Sequence, residues 1–122
     1  MASPRLRFGL IGSGYMGRAH AIALHSAAAA FGAEYAVECV TLADATPQRA
    51  QEAAQALGFA NGTADWRALV ADPGIDVVDI CTPNYLHAEM ALAALAAGKH
   101  VYCEKPLALD LQQLYGDRKS VV

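Results

Sequence analysis

Leu6-Arg7-Phe8-Gly9-Leu10-Ile11-Gly12-Ser13-Gly14-Tyr15-Met16-Gly17 is the stretch that decides the fold of this 122-residue chain. Leu6–Ile11 is a short apolar run, which reads as a buried strand that ends at a glycine. From Tyr15 to about Phe31 the residues read as a helix, with Gly32 as its stop. A lone Gly-x-Gly-x-x-Gly is a weak pattern. Placed between a strand and a helix it becomes specific, because each glycine then has a separate steric task. Gly12 permits the tight turn, Gly14 lets a ligand come close to the backbone, and Gly17 lets helix and strand pack together.

The rest of the chain repeats the alternation. Val37–Ala43 reads as a second strand, followed by Thr46 as N-cap and Pro47 at the first helical position, where its missing N–H costs nothing. Gln48–Leu57 continues that helix and Gly58 ends it. Phe59-Ala60 reads as a weak third strand, and Thr63 or Asp65 caps a short helix through about Val70. Asp72-Pro73-Gly74 is a turn, Asp76–Cys81 a fourth strand, Asn84 the cap of a helix from Tyr85 to Ala97, and Gly98 its end. His100–Cys103 is a fifth strand. Strands alternating with helices predict an α/β fold with a doubly wound parallel sheet, the Rossmann dinucleotide-binding fold. The Ala-rich helices predict close packing on that sheet. The fold is expected to be incomplete at its C-terminus, because Leu107–Tyr115 only begins another helix and a six-stranded sheet needs a further strand. Residues 1–116 read as one truncated domain. Asp117–Val122 reads as a non-native tail, since it resembles the in-frame translation of a sequencing-library adapter.

In an open parallel sheet the ligand binds at the carboxyl ends of the strands, and four polar clusters fall there. The first is the loop Gly12, Ser13, Gly14, Tyr15, Met16 and Gly17, where free N–H groups at a helix N-terminus suit a pyrophosphate. The second is Asp44. Its carboxylate can accept hydrogen bonds from ribose hydroxyls and would repel a 2′-phosphate, which favours NAD over NADP. Asp44 lies 27 residues after Gly17, a long spacing that the long first helix accounts for. Arg49, one turn into the next helix, keeps NADP open. The third is Thr82-Pro83-Asn84, a turn against the cofactor's ribose and nicotinamide, with Asn84 equally explained as a cap. His87 near the same helix start either faces the site or is a packed side chain. The fourth is Glu104-Lys105-Pro106, in which an ammonium beside a carboxylate can bind a substrate hydroxyl or carbonyl and take part in proton transfer.

Composition narrows the classes. A net charge of −3 leaves no electrostatic footprint for nucleic acid. With 55% hydrophobic residues the chain can build a core, yet no stretch reaches the roughly 18 apolar residues of a membrane span. No signal peptide is recognisable, and a cytoplasmic protein is expected. Cys39, Cys81 and Cys103 are an odd number without C-x-x-C spacing, which argues against a disulfide framework or a zinc site. His20 lies three residues after Gly17 on the first helix, His25 and His100 show no recognisable spacing, none of the three is assigned to a metal, and Trp66 and Tyr85 read as packing residues.

The clusters together resemble the Gfo/Idh/MocA oxidoreductases, the family of glucose–fructose oxidoreductase and inositol dehydrogenase. Gly9-Leu-Ile-Gly-Ser-Gly-Tyr-Met-Gly-Arg-Ala-His20, Asp76-Val-Val-Asp-Ile-Cys-Thr-Pro-Asn84 with His87, and Gly98-Lys-His-Val-Tyr-Cys-Glu-Lys-Pro106 carry the likeness, in order and spacing through about Leu109. The resemblance implies a domain that binds NAD or NADP, with Asn84 and Glu104 near the nicotinamide ribose and Lys105 as the substrate-contacting lysine. It implies a parent dehydrogenase, homo-oligomeric, that moves hydride between nicotinamide and a sugar, polyol or inositol-like substrate. It also implies a second α/β domain that supplies the substrate pocket, a catalytic histidine and an acidic residue; nothing in this chain matches it. As it stands, the chain is expected to bind nucleotide weakly, turn over nothing and expose a sheet edge. The competing reading is a non-catalytic NAD(P)-binding regulator or an inactive fragment.

Overall fold

The computed structural model describes residues 5–31 and 36–103. The sequence alternation becomes β1 (Arg5–Ile11), α1 (Tyr15–Phe31), β2 (Ala36–Ala43), α2 (Pro47–Leu57), β3 (Asn61–Thr63), α3 (Trp66–Ala71), β4 (Val77–Ile80), α4 (His87–Ala96) and β5 (His100–Cys103). All pairings are parallel, in the spatial order β3-β2-β1-β4-β5. This is the doubly wound order, in which the chain builds outward from β1 in one direction and then in the other.

Alternation along the strands divides the core in two. Leu10 and Leu42 point to one face and pack with Ala21, Ala54 and Phe59, under α1 and α2. Their neighbours Ile11 and Ala43 point to the other face and pack with Leu69, Val70, Met90 and Ala94, under α3 and α4. The alanines are where the helices come closest: Ala21, Ala50, Ala54, Ala88, Ala91 and Ala94 are all buried. β1 and β2 slip register between Phe8 and Gly9, and a side chain on Gly9 would run into Leu69, so α3 lies directly on that glycine.

The caps follow the sequence. The Thr46 hydroxyl accepts from the Arg49 N–H at 3.2 Å, with Pro47 beginning α2. Asp65, rather than Thr63, caps α3 by accepting from Arg67 and Ala68. Gly58 ends α2 at φ 76° and Gly98 follows α4 at φ 78°, both left-handed positions that suit glycine.

Three boundaries differ from expectation. Strand β3 is Asn61–Thr63, not Phe59-Ala60. Phe59 is instead buried, and its N–H turns back to the Ala54 carbonyl at 2.8 Å, closing the end of α2. Helix α4 starts at His87, because Asn84–Leu86 forms a 3₁₀ turn first; Leu86 stands at its N-cap without a side-chain cap bond. Strand β4 is shorter than Asp76–Cys81, since Asp76 is occupied with Arg7 at the amino end. Gly32, the helix read at Leu107–Tyr115 and the tail Asp117–Val122 lie outside the described residues.

The amino ends of the strands are pinned separately. Asp76 takes both the Arg7 guanidinium (2.9 and 3.0 Å) and the Arg7 N–H (3.0 Å). Lys99 donates to the Asp72 and Ile75 carbonyls at 2.5 and 2.6 Å. Among the described residues no helix is long and apolar enough to cross a membrane.

Candidate nucleotide site

At the carboxyl edge the chain leaves β1 toward one face and β4 toward the other, and the two exits part to leave a cleft of about 510 Å³. Gly12, Ser13, Gly14, Asp44, Thr82 and Pro83 all border it, so residues scattered over 72 positions of sequence share one hollow. A larger hollow of about 970 Å³ opens at the amino edge. Its charges are already engaged, Arg5 with Glu38 and Arg7 with Asp76, and it lies at the end of the sheet where ligands of this fold do not bind.

The three glycines of the turn stand in different surroundings. Gly12 sits at φ 100°, donates to the Ala43 carbonyl at 2.8 Å, and has no room for a side chain, since a Cβ would lie 2.6 Å from the Cys81 carbonyl oxygen. At Gly17 a Cβ would lie 2.0 Å from the Gly12 carbonyl oxygen, so α1 can begin this close to the turn only without one. Gly14 is the opposite case. A Cβ there would meet nothing within 4 Å. Its side-chain space is left open, and Gly14 borders the cleft. Tyr15 and Met16 are exposed beside it, at 86% and 41%.

Asp44 is held firmly. Its side chain is 9% exposed and accepts from the Ser13 hydroxyl and, at 2.6 Å, from the Ala45 N–H, while Arg49 stands 3.8 Å away. Burial pushes its carboxyl up; the Ser13 hydroxyl, the Ala45 amide and the Arg49 charge outweigh that and leave it below the ordinary value. An ionised, pre-oriented carboxylate therefore stands at the end of β2, with Ser13 linking it to the glycine turn.

The turn after β4 is braced from behind. His87 is 1% exposed, and its Nε2 bonds to the Thr82 carbonyl at 2.7 Å. Of the two sequence readings for His87, the packed one describes this geometry: the ring supports the turn and does not border the cleft. The Thr82 hydroxyl donates to the Met90 sulfur at 3.5 Å, and Leu86 closes the turn onto the Pro83 carbonyl at 3.0 Å. Trp66 and Tyr85 also border the cleft, with the Arg67 guanidinium over the Trp66 ring at 4.4 Å. Asn84 opens the 3₁₀ turn at this edge, while Glu104, Lys105 and Pro106 lie just beyond β5, outside the described residues.

Sequence reasoning missed two histidine arrangements. The His25 Nε2 meets the Leu57 carbonyl at 2.8 Å, and the ring covers Gly58. His20 pairs with Asp79 at 2.8 Å beneath the glycine turn. Only the unexpected aspartate inside Asp-Val-Val-Asp-Ile-Cys signalled the second pair.

With this geometry in view, the comparisons with known proteins become specific. The model of the oxidoreductase family with an NAD-binding Rossmann fold (GFO_IDH_MocA) matches residues 6–115. The chain belongs to this family. Levoglucosan dehydrogenase from Pseudarthrobacter phenanthrenivorans is 52% identical over 104 residues, 84% of this chain and 27% of that protein. Inositol 2-dehydrogenase from Rhizobium meliloti is 39% identical over 116 residues, 95% of this chain and 32% of that protein. Among solved structures, a levoglucosan dehydrogenase complex with NADH and L-sorbose superposes with a TM-score of 0.93 at 45% identity, covering 97% of this chain and 32% of that one. This Gfo/Idh/MocA chain thus spans about a third of the length of the relatives it matches.

Proposed function

We propose that this chain is the nucleotide-holding part of an NAD-dependent dehydrogenase whose substrate is a sugar or polyol. The observation that carries the reading is the open position at Gly14 beside a fixed carboxylate at Asp44, on a cleft at the carboxyl edge of the sheet. The residues fit the dinucleotide: the turn over Gly12–Gly17 offers N–H groups and the positive end of α1 to the pyrophosphate. Asp44 accepts from the adenosine ribose hydroxyls and repels a 2′-phosphate, which supports NAD over NADP. The Thr82-Pro83-Asn84 turn and Glu104 border the nicotinamide ribose, and His87 keeps that turn in place through Thr82. NAD, when bound, supplies a hydride acceptor for a carbinol carbon.

Lys105 is assigned to the substrate hydroxyl. Its ammonium binds that oxygen and takes part in moving its proton, the role an amine at a sheet edge beside a carboxylate can fill. The substrate class is supported by the relatives, which include a levoglucosan dehydrogenase and inositol 2-dehydrogenases.

The test is calorimetric titration of the chain with NADH and NADPH, alongside Asp44→Ala. The reading expects NADH to bind more tightly than NADPH, and Asp44→Ala to bring the two together. Equal affinities in the unaltered chain would sink the role given to Asp44; no binding of either would sink the reading itself. In the longer protein, Lys105→Ala should abolish turnover and leave NADH affinity within about twofold.

A further inference from the structure

On the α1 face of the sheet, three donor atoms of different chemistry converge. His20 comes from the second turn of α1, Asp79 from β4, and Cys81 from just past the end of that strand. Because Asp79 and Cys81 are two residues apart on extended chain, both side chains point to the same face. His20 Nδ1 lies 2.9 and 2.8 Å from the two Asp79 oxygens and 3.3 Å from Cys81 Sγ, which is 3.5 Å from Asp79 Oδ1. We propose that His20, Asp79 and Cys81 form a binding site for a thiophilic divalent cation of the Zn²⁺ class.

The spacing supports it. Tetrahedral zinc with ordinary bonds, about 2.0–2.2 Å to nitrogen or oxygen and about 2.3 Å to sulfur, sets its donors about 3.3–3.6 Å apart. The two distances to sulfur already lie in or at that range, and the nitrogen–oxygen pair must open by about half an ångström. Nitrogen, thiolate and a single carboxylate select Zn²⁺ or Cd²⁺ over Mg²⁺ and Ca²⁺, which take oxygen donors.

The setting supports it too. Asp79 is 2% exposed, on a strand with Val77, Val78 and Ile80, where a cation would share the charge of a buried carboxylate. As the metal–nitrogen and metal–sulfur bonds form, the protons held on Nδ1 and on the thiol leave to water. His20 and Asp79 also line an apolar groove of about 440 Å³ with Phe8, Leu24 and Tyr102, which gives the ion a path and leaves room for a water as fourth ligand. Cys81 borders the nucleotide cleft as well, so the ion site and the glycine turn share a residue.

The test loads the metal-free chain with Zn²⁺ and then Co²⁺, reading stoichiometry by elemental analysis and the cobalt–thiolate charge-transfer band by absorption. One ion per chain is expected, with the band lost in Cys81→Ser and kept in Cys39→Ser. A band that survives Cys81→Ser, or zinc content no higher than in that variant, overturns the proposal. A second readout needs no variant: Zn²⁺ should slow alkylation of Cys81 at least tenfold and leave Cys39 unchanged. Equal alkylation of Cys81 with and without Zn²⁺ refutes it.

Discussion

Gly14→Ala and Gly17→Ala add the same methyl group three residues apart and should fail in opposite ways. At Gly17 the new Cβ would lie 2.0 Å from the Gly12 carbonyl oxygen and 2.9 Å from its carbon. Restoring an ordinary contact of 3.4 Å calls for 1.4 Å of movement between the start of α1 and the turn. Both sides are backbone, so no rotamer change can absorb it, and Gly12 is itself backed by the Cys81 carbonyl. Overpacking of this kind costs about 1–3 kcal/mol, and two rigid partners place it at the upper end. At about 4 °C per kcal/mol, Tm falls by roughly 10 °C. NADH affinity should fall with it, because the turn proposed to hold the pyrophosphate is the part displaced. At Gly14 the methyl meets no protein atom within 4 Å, so stability should change by less than about 1 kcal/mol. NADH affinity should nevertheless drop at least tenfold, as the methyl takes the space proposed for the phosphates. Thermal melts without ligand and NADH titrations separate the two. A Gly17→Ala chain that melts with the unaltered one, or a Gly14→Ala chain that binds NADH equally well, would refute the reasoning.

Two further outcomes are expected. Asp76 is held down to about 2 by its hydrogen bonds to Arg7, so its contribution to stability is complete above its ordinary value of 3.8 and is lost as pH falls from there toward about 2. Asp76→Asn should lower Tm at neutral pH and flatten that acid limb; an unchanged limb in acid-unfolding curves would assign it to another carboxylate. Thr46→Ala removes the bond to the Arg49 N–H and should cost about 1 kcal/mol in denaturant unfolding, with no change in m-value.

The sequence was most legible where local chemistry and the fold ask for the same residue. Gly12 and Gly17, the Thr46-Pro47 cap, Gly58 and Gly98 are such positions, and each is where the reading placed it; at α3 the reading left Thr63 and Asp65 open, and Asp65 is the cap. Asn61-Gly62-Thr63 was illegible as a strand because nothing local makes it one. It is extended because it pairs with Thr41–Ala43, and Gly62 is needed because a Cβ would strike the Ala50 carbonyl. Phe59 misled for the complementary reason: it is buried like a strand residue, but as the plug at the end of α2. The His20–Asp79 pair spans 59 residues and exists only once α1 lies across β4. For His87, both the packed and the site-facing reading were compatible with the sequence, and the Thr82 carbonyl it bonds to is backbone, which carries no side-chain signature.

The pins at the amino ends of the strands have a consequence for how this protein can be altered. Arg7 lies toward the amino end of β1 and Ile11 ends it, four residues apart, or about 13 Å at the rise of a strand. Asp76 and Lys99 pin the rim at which Arg7 stands, and the rim by Ile11 carries the nucleotide cleft. At that separation, effects of substitutions add almost independently. Resistance to heat and choice of cofactor can therefore be treated as two axes of one library: one set of codons at the Arg7–Asp76–Lys99 rim, another at Ser13, Asp44 and Arg49, each screened alone and then combined without searching the product.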